Sequence, residues 1–372
     1  MHITNWYPSP ENPREAIWIK RHIDALATHI ESHYVLHLEV KISSRFSFRR
    51  YDAQSTTQRI LEFPSQKWRI IEIISAALLT YYLIKLRANR YDLMTVHVAY
   101  PNLTYWHMLK RWFNVPTVIS EHWSAYHFHF GVKNPAKLVR IKRIFRQGTP
   151  VIAVSDSLLS DISTFSGARF QGYVVPNVVE RTFFSFEAGE RRERFFMASK
   201  WKTPKKPLVI LEAFKLFLED DPHLDLVVGG YGEDADKIRR FIDDNNLGSR
   251  ITLVGVLSPE EMANLYRSCL AFLHCSDYET FSVVCAEALC CGTPVVASAV
   301  GGITEFVAST DGVLVDENSV NAWLDALKLF MSRRHSFNPR LISQKAGDRF
   351  SEERVGRLYF RALCDIVEAS KK

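Results

Sequence analysis

Two successive α/β domains, each built on a parallel sheet, are the fold class this sequence predicts, on three observations. Short apolar segments at residues 35–40, 93–98, 117–119 and 151–154 are each followed by a helical or loop stretch, the rhythm of strand, crossover helix and parallel strand. The rhythm returns at 194–198, 224–232 and 251–258, beyond a polar stretch at Glu187, Ala188, Gly189 and Glu190. The chain has 372 residues, 47% of them hydrophobic, enough for two cores of ordinary domain size. No internal repeat or low-complexity tract interrupts the pattern.

In order, the opening ITNWYPSPENPREAIWIKRHIDALATHI reads as a short strand, a proline-rich loop over 8–13 and an amphipathic helix from about Arg14. Trp6 and Tyr7 fit either a binding loop or core packing. The apolar run 70–86 carries Glu72, two tyrosines and Lys85, and reads as a buried or surface-lying helix rather than a membrane span. The N-terminus begins on strand-like residues without a basic leader and apolar core, so no cleavable signal is expected. The six cysteines, Cys269, Cys275, Cys285, Cys290, Cys291 and Cys364, show no CxxC spacing. Reduced thiols acting as small core residues in a cytoplasmic setting are expected.

Charge is uneven along the chain. Residues 1–185 hold 23 Lys and Arg against 13 Asp and Glu, a net of +10, and the remainder carries a net of −4. The excess gathers at 45–50, at Lys110 and Arg111, and over 133–146, where basic residues alternate with Leu138, Val139, Ile141, Ile144 and Phe145. A basic amphipathic helix suits an anionic membrane surface or a phosphate-bearing acceptor. It equally suits a solvated face over a buried stripe.

Two further features of the first half concern strand ends. His122 directly follows the strand 117–119 in the loop Glu121, His122, Trp123, Ser124; a lone histidine there, like His97 on the preceding strand, is more often structural. Val154, Ser155, Asp156 and Ser157 offer a helix cap, with serine or aspartate accepting N–H bonds. In the second half, SKWKTPKKP at 199–207 places several cations just before a helix at 208–218. Lysines supply point charge and a helix start adds partial positive charge, so this loop can clamp a diphosphate. The glycine turn within LDLVVGGYG is weak evidence for a nucleotide site by itself.

The stretch HCSDYETFSVVCAEALCCGTPVVASAVGGITEFV, 274–307, is the densest in signals. An apolar strand over 269–274 runs into a polar loop, a helix follows over 282–291, and Gly292, Thr293 and Pro294 stop it. Loops at the carboxyl ends of parallel strands are where open sheets hold ligands, and the next helix aims its N-terminus at them. Glu279 and Glu287 lie eight positions apart, about 12 Å if the whole span is helical. That exceeds the roughly 5–9.5 Å of a glycosidase acid/base pair, so the two read as clamps on opposite ends of one long ligand.

The whole stretch resembles the signature of retaining glycosyltransferases of the GT-B fold, most closely glycosyltransferase family 4. The family pattern of a glutamate, a small residue, Phe and Gly, a second Glu-Ala eight positions after the first, Gly-x-Pro-Val-Val and Gly-Gly-x-x-Glu is met by Glu279, Thr280, Phe281, Ser282, Glu287, Ala288, Gly292 to Val296 and Gly301 to Glu305. Ser282 departs from the pattern, which usually has glycine there. A second departure lies in the first loop, where Glu15 and Ala16 stand near the place of a family glycine.

The resemblance implies α/β architecture of GT-B type, two Rossmann-like parallel-sheet domains facing across a cleft. Residues 1–187 would form the acceptor domain, 188–350 the donor domain, and 351–372 a helix crossing back to the first. The implied reaction moves a sugar, with retention and without a bound metal or cofactor, from a nucleotide-diphosphate sugar of UDP or GDP type to a glycan or lipid-linked acceptor in cell-surface polysaccharide synthesis. Catalytic roles fall on His122 and Glu279 at the sugar and on Lys200 and Lys205 at the diphosphate. Glu287 would hold the ribose, Phe281, Ser282 and Val283 would assist through backbone N–H groups, and Gly230, Val256 and Leu257 would line the nucleotide. Implied partners are the nucleotide sugar, the acceptor and a peripheral contact with an anionic inner membrane face, with no nucleic acid. The competing function is a non-catalytic nucleotide-sugar sensor or scaffold of the same fold. An epimerase or phosphorylase would need a different carboxylate arrangement or a pyridoxal-phosphate lysine.

Overall fold

The computed structural model describes residues 1–372 except 65–66, 111, 133, 185–190 and 372. The linker expected at Glu187–Glu190 and two basic residues of the first half, Arg111 and Lys133, therefore lie outside the described residues. The chain divides into two compact units, Met1–Val178 with Glu352–Lys372, and Val179–Ser351.

The first unit runs β1 (His2–Thr4), α1 (Ile17–Ala27), β2 (Val35–Ile42), β3 (Ser47–Ala53), β4 (Thr56–Phe63), α2 (Trp68–Lys85), β5 (Met94–His97), α3 (Trp106–Leu109), β6 (Thr117–Glu121), α4 (Pro135–Phe145), β7 (Val151–Ala153), α5 (Asp156–Ser166) and β8 (Gly172–Val174). Its sheet has the order β3-β4-β2-β1-β5-β6-β7-β8. All neighbours are parallel except β3 and β4, which pair antiparallel with Ala53 opposite Thr56. The sequence reading placed no strands at 47–63. β3 is an edge strand that alternates half-buried and exposed residues, and its Arg49 and Arg50 read as surface charge rather than as a pleat. Arg49 is paired to Glu62 at 2.7 Å across the hairpin.

The second unit runs β9 (Arg194–Lys200), α6 (Pro207–Phe217), β10 (Asp225–Tyr231), α7 (Ala235–Asp244), β11 (Ile251–Gly255), α8 (Pro259–Ser268), β12 (Ala271–His274), α9 (Val283–Cys290), β13 (Val295–Ser298), β14 (Gly312–Val315), α10 (Val320–Arg333) and α11 (Pro339–Phe350). Its six strands are all parallel in the order β11-β10-β9-β12-β13-β14, the arrangement of a doubly wound sheet whose order reverses between β9 and β12. Strands covered on both faces must be apolar throughout; Phe195, Phe196, Phe272, Leu273, Val295 and Val296 are all buried.

The second unit begins at Val179, nine residues before the boundary read from sequence. Packing decides this: in the turn at Arg181–Phe184, Phe183 is buried and its ring meets Tyr266 of α8 at 6.0 Å. A last helix, α12 (Glu352–Ser370), belongs to the first unit. Val355, Tyr359, Ala362, Leu363 and Ile366 share a core with Ala25 and Leu26 of α1 and with Val118 and Ile152 of the sheet. The approach of α12 to α1 depends on Gly356, where an added Cβ would lie 2.3 Å from the Ala25 carbonyl oxygen. Gly356→Leu should therefore lower the unfolding free energy of the chain by about 3 kcal/mol, measured by urea denaturation; an unchanged midpoint would show that α12 docks elsewhere.

Candidate functional site

In the second unit the lysine loop and the signature loop are knitted together by backbone pairing. Lys205 bridges Ser276 in antiparallel fashion, the Lys206 N–H donates to the Cys275 carbonyl at 3.0 Å, and the Asp277 N–H donates to the Pro204 carbonyl at 2.9 Å. Both loops sit at the carboxyl ends of their strands, β9 and β12. The consequence is local to one carboxylate: the Lys205 ammonium donates to Glu279 Oε1, and His274 Nε2 lies 2.5 Å from the same oxygen. A carboxylate only accepts, so Nε2 carries the ring proton.

Burial alone would raise the Glu279 carboxyl, but Lys205 and His274 together outweigh it and hold it at about 2. Burial keeps His274 below its ordinary value despite the carboxylate beside it. The cluster is thus a nearly buried carboxylate and neutral imidazole with a partly exposed ammonium, and charge interactions strengthen as water is excluded. His274 was not singled out from sequence. The signal was available, since it ends a strand in the same way as His97 does.

Glu279 precedes α9 by four residues and sits in a loop, so the helical spacing assumed from sequence does not apply to the two glutamates. Glu287 lies inside α9, nine-tenths buried, with the Tyr266 hydroxyl 3.4 Å from its Oε2. Burial and then Glu287 push the Tyr266 phenol far up, which keeps it a donor. Ser282 caps α9 at φ 72°, ψ 82°, the left-handed region that side chains disfavour. This is the physical reason for a glycine at that place. The chain passes so close behind it that an added Cβ at Gly301, itself at φ 49°, would lie 1.8 Å from the Glu279 carbonyl oxygen.

The other expected residues are distributed around this cluster. Phe281 turns its ring into the core against Phe306 and Phe350, at 5.1 and 5.4 Å, leaving its backbone as the part open to a ligand role. Val283 opens α9, whose first-turn N–H groups lack helical partners. Lys200 is exposed at the end of β9 and forms no part of the Glu279 cluster. Lys206, the next residue of the lysine loop, is half exposed and pairs with Asp277 at 2.8 Å. Gly230 has φ 130°, and a Cβ there would meet the Ser199 carbonyl at 2.0 Å. Val256 is exposed, and Leu257 covers Gly229 at 3.1 Å from the place of its absent Cβ.

His122 belongs to the first unit and is described there. It follows β6, buried among His22 at 4.9 Å and His97 at 6.3 Å between ring centroids. Burial first, and then those two imidazoles, hold it well below the usual histidine range, so it is neutral near pH 7. Its loop is anchored by Glu121, which accepts from the Ala99 N–H at 2.8 Å and the Tyr126 hydroxyl at 2.5 Å and whose carboxyl burial raises to about 7. Tyr7 is core, packed with Ala16, Ile19 and Val98, while Trp6 meets Trp123 edge-on at 4.9 Å. Ala16, at the second departure from the family glycines, also has positive φ, 47°.

Three of the cations of the basic helix α4 have contacts within its own unit. Arg140 pairs with the buried Glu72 at 2.8 Å and stacks on Tyr105 at 4.6 Å, and Lys137 and Lys142 lie over Tyr100 and Phe165. Arg143, by contrast, is exposed on the outer side of the helix.

Two predictions follow from the Glu279 loop. Because the folded Glu279 carboxyl is held below its ordinary value, its contribution is complete above about pH 4.5 and lost as pH falls toward 2. Glu279→Gln should then cost about 2–3 kcal/mol at pH 7, and its gap to the wild type should close below pH 4.5 in a urea series; a constant gap would remove the ion cluster from the account. Ser282→Gly should raise the unfolding free energy by about 1 kcal/mol by relieving the left-handed backbone, read as a higher thermal midpoint.

Comparison with known proteins bears on both units. A family described as "Glycosyl transferases group 1" matches residues 178–346, and one described as "Glycosyltransferase Family 4" matches residues 19–183. A D-inositol 3-phosphate glycosyltransferase of Mycolicibacterium smegmatis is 33% identical over 134 residues, 35% of this chain and 31% of that protein. An uncharacterized glycosyltransferase of Methanocaldococcus jannaschii is 25% identical over 243 residues, 62% of each. The chain thus spans about a third of the length of the inositol phosphate relatives it matches. Among solved structures, a sucrose-phosphate synthase from Thermosynechococcus elongatus superposes with a TM-score of 0.73 at 18% identity, over 99% of this chain and 100% of that one. HepE of Anabaena in complex with UDP and glucose superposes with a TM-score of 0.73 at 16% identity, over 98% and 99%. With the two family matches running together from residue 19 to 346 and the fold shared along nearly the whole chain, the protein belongs to the glycosyltransferases of group 1 and family 4 type, with the GT-B fold.

Proposed function

We propose that this chain transfers a sugar from a nucleotide-diphosphate sugar to a glycan or lipid-linked acceptor in the building of a cell-surface polysaccharide. The observation that carries the reading is the convergence of Lys205 and His274 on Glu279 at the carboxyl ends of β9 and β12, beside the N-terminus of α9. A departing diphosphate needs positive charge where its negative charge develops. Lys205, the exposed Lys200 and the free N–H groups of the first turn of α9 supply it, so the reaction is proposed to run without a divalent cation. In the unliganded protein Glu279 holds Lys205. On donor binding the ammonium is shared with the diphosphate, and the carboxylate, still fixed by His274, accepts from sugar hydroxyls.

Glu287 is proposed to accept from the ribose hydroxyls, its second oxygen steadied by Tyr266. His122 keeps the role the resemblance assigns, a neutral imidazole at the donor sugar, and retention of the anomeric configuration belongs to the same proposal. Support for a UDP-type donor comes from HepE, solved with UDP and with UDP-glucose. Sucrose-phosphate synthase and the inositol phosphate enzymes carry acceptors of quite different kinds in their names, and the acceptor class here rests on the resemblance alone.

The test is thermal unfolding of the wild type and Glu287→Ala with UDP, GDP, ADP and their sugar conjugates, followed by turnover with the conjugate that binds. A nucleotide at about 100 times its dissociation constant should stabilise the wild type by roughly 2.7 kcal/mol and lose that effect in Glu287→Ala. Binding without sugar transfer or donor hydrolysis would instead support a sensor or scaffold, and no shift with any nucleotide would overturn the donor site.

A further inference from the structure

The helix α2 breaks the rule that a surface helix of a globular protein is apolar on one stripe only. Its inner face buries Ile71, Leu79 and Leu83. Its outer face is also apolar, with Ile73 and Tyr81 each 55% exposed and Ile84 64% exposed, a spacing of eight and three residues that puts them along one side. No helix among the described residues is long and apolar enough to cross a membrane, so this face is not half of a span.

Beside the end of α2 lies a pocket of 590 Å³. Its walls are Leu83, Ile84, Leu109, Trp112 and Phe113, and Trp112 stands 79% exposed at its edge. A large indole left that far in water, next to an open apolar pocket, marks a surface that meets something apolar. The pocket's charged lining is all of one sign: Arg87 and Arg90, from the turn at Ala88–Arg90 and the residue before it, with no carboxylate among the described lining residues. Lys85 lies over the Tyr81 ring at 5.8 Å. Across residues 73–115 the sequence holds five basic residues against the single acid Asp92.

We propose that this face, the outer side of α2 with the pocket between Ile84 and Trp112, docks on an anionic lipid bilayer. Trp112 and Ile84 enter the headgroup layer, an acyl chain fills the apolar pocket, and Arg87 and Arg90 meet lipid phosphates. The choice of a bilayer over a second protein surface rests on charge complementarity. The rim is uniformly cationic around an apolar centre, the pattern of an interfacial membrane contact, where an aromatic residue sits at headgroup level and each cation near the surface adds attraction. This deepens the lipid-linked acceptor reading and rests on it for the role in turnover; the contact itself stands on the patch. It also places the membrane face on α2 rather than on α4, where Arg140 is paired with the buried Glu72.

The experiment is co-sedimentation of the full chain with phosphatidylcholine vesicles, with and without phosphatidylglycerol, alongside the nucleotide-induced thermal shift of each variant. The wild type should sediment with the phosphatidylglycerol vesicles and be released by salt. Trp112→Ser and Ile84→Ser should each weaken partitioning about tenfold, and Arg87→Gln and Arg90→Gln about fivefold each. All four sites are exposed, so the variants should keep the wild-type thermal midpoint and any nucleotide shift. A wild type that ignores phosphatidylglycerol vesicles overturns the proposal, as does equal partitioning by the wild type and Trp112→Ser. A dimer that dissociates in Trp112→Ser, without vesicle binding, would make this face an interface between copies and overturns it too. Vesicle binding that persists when no nucleotide shifts the protein would leave the docking face standing and remove the transferase reading instead.

Discussion

A carboxylate that stays charged while nearly buried is the constraint on which the second unit depends. Glu279 is only 9% exposed, and an isolated carboxylate so placed would take up a proton rather than bear the desolvation. Lys205 and His274 reverse that balance. For them to do so, two loops separated by 74 positions must be brought into backbone register, and the strands β9 and β12 must be neighbours in the sheet. The reversal of strand order between them opens the place where the two loops meet, which is why a parallel sheet of this order puts its chemistry there.

The same closeness fixes the backbone conformation. Gly301 is pressed against the Glu279 carbonyl and Ser282 is forced to positive φ, so the loop is held from both sides. Ala16 in the first unit likewise has positive φ at the start of α1. Ser282 and Ala16 are two of the seven described residues with side chains at positive φ, each at a cost of about 1 kcal/mol. These two stand at the starts of α1 and α9, helix ends whose first N–H groups lack helical partners.

The first unit handles buried polarity differently. His2, His22, His97 and His122 form a chain of rings, with His2 Nδ1 and His97 Nε2 3.2 Å apart. Burial is the leading cause that keeps all four neutral, and each would oppose protonation of the next. An imidazole in that setting is a hydrogen-bonding group rather than a cation. The N-terminal unit thus offers neutral polarity at His122, whereas the second unit offers paired charge at Glu279.

What the sequence determined by itself is what local periodicity and ordered motifs can carry. The strands at β5 to β7, the helix α9 with its Gly-Thr-Pro stop, the Ser155 cap, which accepts from the Leu158 N–H at 3.1 Å, and the order Glu279, Glu287, Gly301, Gly302 all follow from residue spacing along one stretch of chain. The hairpin of β3 and β4 escaped because an edge strand with one wet face and many charges looks like a loop. Only the tertiary structure decided that Lys205 belongs to Glu279 before any ligand does, that His274 completes the pair, that Arg140 of α4 reaches the buried Glu72, and that α2 leaves an apolar face outside. Each of these depends on which distant residue comes within a few ångströms and on how much water is left there, and neither quantity is written in the spacing of a single segment.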